Sequence, residues 1–187
     1  SEEINPNKMQ QSFIKNLEKL REQDNRGLLI SATGTGKTFA AAFGMKSIEA
    51  KKVLFIVHRE QIARQALETF KLIFGDSRSY GLLTGHNKNT EADFIFATIQ
   101  TISKQEVYQS FPKNYFDEII IDEVHRAGAE SYLRVMDYFR PTFYLGMTAS
   151  PDRTDSFNIY ELFNNNIVYE VRLKEAMEND LLCPFHY

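Results

Sequence analysis

The sequence predicts one α/β domain built as three layers, α/β/α, with helices on both faces of a mostly parallel central sheet. Short apolar runs alternate with segments of helical periodicity along the 187 residues. The runs are continuous instead of alternating between apolar and polar residues, which is the pattern of strands covered on both faces. The repeated strand–helix order then favours parallel strands joined by helical crossovers. We expect a single domain over residues 1–187.

The predicted elements begin with a helix that carries Phe13, Leu17 and Leu20 on one face. Continuous apolar runs predict strands at residues 28–30, 53–57, 94–97, 119–121, 143–147 and 167–169. An Ala-rich helix is expected after the first strand, from about residue 37 to residue 50. The second strand is followed by a helix whose apolar stripe consists of Ile62, Ala66, Phe70 and Ile73. From about residue 164 the chain is expected to form an edge strand and a helix.

Composition limits the classes of protein that this chain can represent. Hydrophobic residues make up 43% and charged residues 25% of the sequence, which is ordinary for a soluble globular protein. The single cysteine, Cys183, cannot form an internal disulfide and suits a reducing cytoplasm. No apolar stretch approaches the roughly 20 residues that cross a membrane, and residues 1–6 lack the features of a signal peptide. The net charge of −3 argues against a simple DNA-binding module but leaves room for a cleft that holds a few phosphates.

Residues 31–38, with the sequence SATGTGKT, have the pattern of a phosphate-binding loop between a short strand and a helix. Ser31 occupies the position where the pattern usually has its first glycine. The loop glycines let the backbone turn so that successive N–H groups face phosphate oxygens, and the following helix N-terminus favours the same anion. Lys37 is expected to reach the β- and γ-phosphates, and the Thr38 hydroxyl to coordinate Mg²⁺. The predicted nucleotide-binding residues of this loop are Thr33, Gly34, Thr35, Gly36, Lys37 and Thr38.

An acidic pair, Asp122 and Glu123, follows the apolar run at residues 119–121. Ligands of open α/β sheets bind beyond the carboxyl ends of the strands, so this pair and the phosphate-binding loop are expected to face one site. Asp122 is predicted to hold Mg²⁺, directly or through water, and Glu123 to orient and deprotonate the water that attacks the γ-phosphate. An acidic pair alone is more often a solvated strand end, and the upstream loop is what favours catalysis. The predicted catalytic residues are Lys37, Asp122 and Glu123.

A series of short motifs, in a characteristic order, resembles the motifs of superfamily-two helicases. Residues 31–38 resemble motif I, and residues 57–60 (VHRE) resemble motif Ia. Residues 97–101 (ATIQT) resemble the segment that lies along a nucleic-acid backbone in that family. Residues 122–125 (DEVH) look like motif II in its DExH form, and residues 147–151 (MTASP) look like motif III. The HRE, ATIQT and TASPDRTD sequences are most similar to the helicase-like res subunit of type I and type III restriction enzymes.

This resemblance implies a RecA-like first motor domain of the P-loop NTPase kind, which binds ATP and Mg²⁺, hydrolyses ATP and travels along DNA, with RNA as the alternative polymer. It also implies a second RecA-like domain that supplies arginines through motifs V and VI, and we find no similar motif after Pro151. The domain alone is therefore expected to bind ATP but to hydrolyse it slowly. Nuclease or methylase subunits are the further partners that the restriction-enzyme resemblance suggests, and no membrane is implied.

The resemblance also assigns residues outside the phosphate site. Gln10 or Gln11 corresponds to the glutamine that reads adenine, because an amide offers both a donor and an acceptor to an adenine edge; we favour Gln10. His125, Thr148 and Ser150 are expected to couple the nucleotide state to the nucleic-acid side. Hydroxyls, amides and backbone N–H groups can hold a nucleic-acid backbone without a large positive field. Such contacts are predicted for His58, Arg59, Thr84, Gly85, Thr98, Gln100 and Thr101.

Other function classes compete with a motor. A GTPase would need a guanine-reading Asn-Lys-x-Asp segment, and residues 87–90 (NKNT) lack its aspartate. A small-molecule kinase would need a lid and an acceptor site, neither of which the sequence identifies. A catalytically silent scaffold that only binds ATP or DNA would not need Lys37, Asp122 and Glu123 together. These three residues therefore favour an active ATPase.

Overall fold

The computed structural model describes residues 3–31, 36–123, 128–149 and 158–171, together with the backbone of residues 185–186. The helix predicted after the last strand lies outside the described residues. Among the residues predicted for function, those outside the described ranges are Thr33, Gly34, Thr35, His125 and Ser150.

Strands and helices alternate along the described chain. The strands are β1 (Ile4–Asn5), β2 (Arg26–Ser31), β3 (Val53–Val57), β4 (Tyr80–Leu83), β5 (Phe94–Thr98), β6 (Glu118–Asp122), β7 (Phe143–Thr148), β8 (Ile167–Val171) and β9 (Phe185–His186). The helices are α1 (Lys8–Arg21), α2 (Lys37–Ser47), α3 (Glu60–Phe74), α4 (Ile99–Ile102), α5 (Gln105–Tyr108), α6 (Ala129–Tyr138) and α7 (Ile159–Leu162). None of the described helices combines the length and the apolar character that a membrane span requires.

The central sheet has seven strands in the order β4-β5-β3-β6-β7-β2-β8. Every pairing in this sheet is parallel, whereas β1 and β9 form a separate antiparallel pair. Residues of α1, α2 and α3 form one hydrophobic core against the sheet, and residues of α4, α5, α6 and α7 form a second core on its other face. The predicted three-layer α/β class is confirmed, and the central sheet is wholly parallel.

The burial of each strand explains which strands the sequence reveals. Every residue of β3, β5, β6 and β7 is buried, because helices cover both faces of the middle of the sheet. These strands are therefore continuous apolar runs, and all the predicted strands are confirmed. The edge strand β4 was not predicted, because it has four residues that alternate between half-buried and buried. Such a short alternating pattern resembles a loop as much as a strand.

Helix α2 is shorter than the sequence predicts. It ends at Ser47 instead of continuing to Ala50. Glu49 has a left-handed backbone with φ of +56°, and the Ala50 N–H donates to the carbonyl of Met45 at 3.0 Å. This geometry is typical of a helix C-terminus. A glycine would have predicted such an end, whereas a glutamate gives no signal for it.

Candidate functional site

The described part of the phosphate-binding loop ends in Gly36, which directly precedes α2. Gly36 has a φ of +87°, a left-handed conformation that glycine adopts at little cost. Among the described residues no side chain caps the start of α2, and no acidic residue lies in its first turn. The first N–H groups of a helix have no partner within the helix. This end of α2 can therefore receive an anion such as a phosphate group.

Lys37, the first residue of α2, extends to the carboxyl end of β6. Its Nζ lies 2.9 Å from Oδ1 of Asp122 and also forms an ion pair with the carboxylate of Glu123. Lys37 and Asp122 are each only 4% exposed. Since β7 lies between β2 and β6 in the sheet, the lysine reaches past the end of β7 to meet the acidic pair. The structure therefore brings together the three residues that the sequence predicts to act jointly.

The cluster of Lys37, Asp122 and Glu123 contains two carboxylates and one ammonium group. Burial alone would lower the pKa of Lys37, but the carboxylates of Asp122 and Glu123 outweigh that effect and raise it. Burial raises the pKa of Asp122 and the neighbouring carboxylate of Glu123 adds to the rise, while Lys37 and, more weakly, His58 oppose it. Burial and the same two carboxylates raise the pKa of Tyr132, on α6, to about 12. The cluster therefore has an excess of negative charge that a bound cation would neutralise.

The residues at the end of β6 fit a magnesium ion that arrives with a nucleotide. Oδ1 of Asp122 is buried and pairs with Lys37, which it shares with Glu123. A cavity of about 450 Å³ is lined by Thr38, Asp122 and Glu123. In the described chain no three His, Cys, Asp or Glu side chains converge as a metal site. Mg²⁺ often takes one or two carboxylates and completes its shell with phosphate and water oxygens, which suits Asp122 with the Thr38 hydroxyl.

Glu123 is also bonded to the end of β7. Its backbone has a φ of +58°, which is uncommon outside glycine and typical of functional sites. Its N–H donates to the carbonyl of Met147 at 2.7 Å, and its Oε2 accepts from the N–H of Ala149 at 3.4 Å. Glu123 therefore contacts the chain on both sides of Thr148, which is buried. The sequence did not reveal this link, because it is made by backbone groups that every non-proline residue has.

Of the two candidate glutamines, the structure places Gln10 at the phosphate-binding loop. Gln10 is fully buried, and its Nε2 donates to the carbonyl of Gly36 at 3.4 Å. The side chain of Asn7 accepts from the Gln10 N–H at 2.9 Å, while Oε1 of Gln10 accepts from the Asn7 N–H at 3.0 Å. Gln11 is exposed and donates to the carbonyl of Pro6. The supporting role of Asn7 was missed, although Asn-x-x-Gln before an apolar helix is a signature of this capping arrangement.

Comparison with known proteins identifies the family. Residues 3–153 match the family described as "Type III restriction enzyme, res subunit". The chain belongs to this family. Its fold is that of the first RecA-like domain of superfamily-two helicases.

The relatives of this res-family domain are much longer than the chain. The endonuclease subunit of the type I restriction enzyme EcoAI from Escherichia coli is 30% identical over 186 residues, covering 94% of this chain and 23% of that protein. The putative ATP-dependent helicase IRC3 of Saccharomyces cerevisiae is 28% identical over 168 residues, covering 81% of this chain and 24% of that protein. A nuclease-deletion mutant of the type ISP restriction-modification enzyme LlaGI, solved in complex with a DNA substrate mimic, has a TM-score of 0.70 and 21% identity over 92% of this chain and 20% of its own. The chain therefore spans less than a quarter of each of these proteins.

The predicted nucleic-acid contacts of this res-family domain lie along one edge of the sheet. Strands β4, β5 and β3 are neighbours and parallel, so the loops after them are adjacent. Arg59, Gly85 and Gln100 are exposed there, and His58 is half-buried. Nε2 of Gln100 donates to the carbonyl of His58 at 3.2 Å, which joins two of these loops. These four residues are placed where a bound strand could reach them.

The three threonines of the same prediction have inward-facing hydroxyls. Thr84 is 1% exposed, and Thr98 and Thr101 are each 7% exposed. The hydroxyl of Thr98 donates to that of Thr101 at 2.9 Å, and the hydroxyl of Thr84 donates to Oε1 of Glu60 at 2.7 Å. Direct contact with nucleic acid by these hydroxyls would require those hydrogen bonds to be exchanged. In this structure the three hydroxyls form hydrogen bonds within the domain.

Proposed function

We propose that this domain is the ATP-binding and ATP-hydrolysing half of a helicase or translocase motor that acts on DNA. One observation carries the proposal: Lys37 lies between Asp122 and Glu123 at an uncapped helix N-terminus. A triphosphate requires a cation and N–H groups for its phosphate oxygens, and the metal that accompanies it requires a carboxylate. The relatives support the same function, since one is named as an ATP-dependent helicase and another as a restriction endonuclease subunit.

Each residue of the site has a distinct task in this proposal. The triphosphate competes with both carboxylates for Lys37, so nucleotide binding releases Glu123 from its ion pair. Glu123 then orients a water molecule and accepts its proton as the water oxygen attacks the γ-phosphorus and the bond to the β-phosphate oxygen breaks. Thr38 and Asp122 would hold Mg²⁺, which supplies neutralising charge for the phosphates. Gln10 would read the adenine with its amide, which requires its hydrogen bond to Asn7 or to Gly36 to be exchanged for one to the base.

We infer that the working enzyme is larger than this domain. A second RecA-like domain would supply the arginines that stabilise the transferring phosphoryl group, and its closure on this domain would drive the step along the strand. DNA is the proposed polymer because the family is described by the res subunit of a restriction enzyme and the LlaGI structure holds a DNA substrate mimic. Nuclease or methylase subunits are proposed partners on the same grounds.

Binding of a fluorescent ATP analogue to this chain, measured with Mg²⁺ by titration, tests the assignment of Lys37 and Glu123. We expect Lys37→Ala to abolish binding, because it removes the cation that holds the phosphates. Glu123→Gln should preserve binding to this chain, and in the full-length protein it should lower the steady-state rate of ATP hydrolysis by roughly two decades or more, since it removes only the proton acceptor. Unchanged binding in the first variant, or unchanged turnover in the second, would refute these roles.

Two controls separate function from folding in that experiment. Lys37→Ala leaves two carboxylates without their cation and is expected to lower stability, by about 3–5 kcal/mol for a fully buried pair. Its unfolding temperature must therefore be measured, and binding tested well below it. Thr38→Val keeps the shape of the half-buried side chain but removes the hydroxyl. We expect this variant to bind the analogue without Mg²⁺ as the wild type does and to lose the gain in affinity that Mg²⁺ brings.

A further inference from the structure

A groove of about 650 Å³ lies at the amino ends of β2 and β7, on the face of the sheet that α6 and α7 cover. Its apolar lining includes Leu133 of α6, Leu162 of α7 and Tyr144 of β7. Leu133 is 44% exposed and is one of three large hydrophobic side chains that the described part of the chain exposes. The proposed nucleotide and nucleic-acid contacts lie at the carboxyl ends of the strands, so the proposed function does not use this groove.

Two arginines in the lining of the groove are held in place by the domain itself. Nη1 of Arg26 donates to the carbonyl of Leu162 at 3.1 Å, and its guanidinium lies over the ring of Tyr144, 5.3 Å from the ring centroid. Nη1 of Arg140 donates to the carbonyl of Asp137 at 2.6 Å, near the C-terminal end of α6. Because these bonds already fix the two guanidinium groups, a ligand that binds them does not have to order two flexible side chains.

Within the described ranges, neither Arg26 nor Arg140 forms an ion pair with an acidic side chain. A guanidinium has five N–H donors, and the hydrogen bonds that the described residues accept from these two side chains come from Nη1 alone. The carboxylate of Asp24, close to Arg26 in the sequence, accepts instead from the side-chain amides of Asn164 and Asn166. Both arginines therefore have N–H groups left for an acceptor that the described residues do not supply.

The charge and the walls of the groove favour a protein segment over a nucleic acid as its ligand. Among the described residues that line it, the charged ones are Arg26, Arg140 and Asp137, a net charge of +1 on a chain whose net charge is −3. A nucleic-acid backbone is bound by several cations together, and Asp137 would repel its phosphates. An acidic peptide segment with an apolar side chain suits both features, because Leu133 and Leu162 can contact the side chain while the guanidinium groups bind carboxylates.

We propose that the groove between α6 and α7 is the docking site for another domain of the full-length protein, which binds through an acidic segment that carries an apolar side chain. The size of the relatives supports a domain of the same polypeptide, because more than three quarters of each relative compared above lies outside the part that matches this chain. Interfaces between the domains of one chain are more polar than permanent subunit interfaces, which suits an apolar groove with two arginines. The proposal does not depend on the assignment of the nucleotide site.

Amide hydrogen exchange, compared between the full-length protein and this chain, tests whether the groove is covered. We expect the backbone amides of α7 to exchange on the order of tenfold more slowly in the full-length protein, because docking has to be released before they open. Equal exchange in the two proteins would overturn the proposal. So would protection that appears only when an oligonucleotide is added, or protection that depends on the protein concentration, because these results would indicate a nucleic acid or a second copy in the groove.

A photocrosslinking residue in place of Leu133 identifies what lies in the groove. In the purified full-length protein we expect a crosslink within one polypeptide, which mass spectrometry should map to an acidic segment outside residues 1–187. A crosslink that maps only to residues of this domain, or to a segment without acidic residues, would contradict the proposed occupant.

Two variants of the full-length protein test the proposed chemistry. Leu133→Ser removes the exposed apolar side chain, and Arg140→Gln removes the charge but keeps an N–H donor for the carbonyls at the end of α6. Each should remove most of the tenfold protection of α7, the loss of about one good contact. Leu72→Ser is the matched control, because Leu72 is 62% exposed on α3, on the other face of the sheet, and this variant should keep the protection. Protection that persists in either groove variant would refute the docking chemistry, whereas binding of the ATP analogue should be unchanged in all three.

Discussion

Two buried carboxylates, one at each end of the sheet, have different consequences for the protein. At the carboxyl end, Asp122 shares Lys37 with Glu123, and a ligand with its metal can satisfy the remaining charge. At the amino end, Glu118 is 2% exposed and pairs with Arg21, but its Oε2 has no hydrogen-bond partner. Burial, only partly opposed by Arg21, raises the pKa of Glu118 to about 8. No ligand is expected at Glu118, so its burial bears on stability alone.

Glu118 is expected to make the stability of the domain depend on pH. Its pKa of about 8 in the folded protein exceeds the ordinary value of 4.5, so in this window the folded protein holds a proton that the unfolded chain has released. The free energy of unfolding should therefore fall as the pH rises from 4.5 towards 8. Glu118→Gln mimics the protonated form and should flatten this dependence. Urea denaturation across the window provides the measurement, and identical slopes for variant and wild type would contradict the expectation.

The sequence predicts site residues whose side chains have a specific chemical role. It does not predict contacts that depend on which segments the fold brings together. Lys37, Asp122 and Glu123 were predicted because phosphate binding and proton transfer need those side chains after buried strands. The bond from Glu123 to Ala149 uses a backbone N–H, which no side-chain pattern marks. Glu60 stands within a recognised motif, yet its hydrogen bonds to Thr84 and Asn87 depend on which strands become neighbours in the sheet.

Helices α1 and α2, at the proposed nucleotide site, differ in how their N-termini are capped. Helix α1 starts with reciprocal hydrogen bonds between Asn7 and Gln10, so its first N–H groups are partly satisfied and its start is fixed. Helix α2 starts at Gly36 with no side-chain cap among the described residues. One helix end is thus completed by its own side chains, and the other is the end at which we propose that the phosphates bind. The hydrogen bond from Gln10 to the carbonyl of Gly36 joins the two ends.

Removal of the α1 cap should affect both stability and nucleotide binding. Asn7→Ala is expected to lower the free energy of unfolding by about 1 kcal/mol, which corresponds to about 2–4 °C in unfolding temperature for a domain of this size. It should also weaken ATP binding, because the side chain of Gln10 loses the ordered turn that aims it at Gly36. Thermal unfolding and analogue titration measure the two effects. Asn7→Ser, which retains a capping oxygen, serves as the control and should have nearly the wild-type unfolding temperature and affinity for the analogue. If Asn7→Ala changed neither quantity, the cap would be unimportant.

The central strands were predictable as elements because burial on both faces leaves their interiors apolar, with charged residues only at the two ends of β6. The edge strand β4 and the end of α2 were not, for different reasons. Strand β4 is defined by its pairing with β5, and the turn that follows it folds back so that the Asn89 N–H donates to the carbonyl of Leu82 at 3.0 Å. The end of α2 depends on a left-handed glutamate, which tertiary packing has to impose.

On the scale of the whole molecule, one edge of the sheet carries both proposed activities. The proposed nucleotide site lies at the carboxyl ends of β2 and β6, and the predicted nucleic-acid contacts lie at the carboxyl ends of β3, β5 and β4. Each outer strand has one carbonyl that accepts a hydrogen bond from outside the sheet. The side chain of Asn16 donates to the carbonyl of Val168 in β8 at 2.9 Å, and the turn at Asn89 covers β4. The proposed nucleotide and nucleic-acid partners are therefore expected at the carboxyl edge.

The most direct test of the account is the steady-state rate of ATP hydrolysis by the full-length protein, measured with and without single-stranded DNA. We expect the rate to rise when DNA is added, because DNA on the loops after β3, β4 and β5 favours closure of a second domain over the nucleotide. Glu123→Gln should abolish the rise while ATP still binds. A hydrolysis rate that is the same with DNA, with RNA and with neither would contradict the account, and would favour a phosphate-loop enzyme that does not act on nucleic acid.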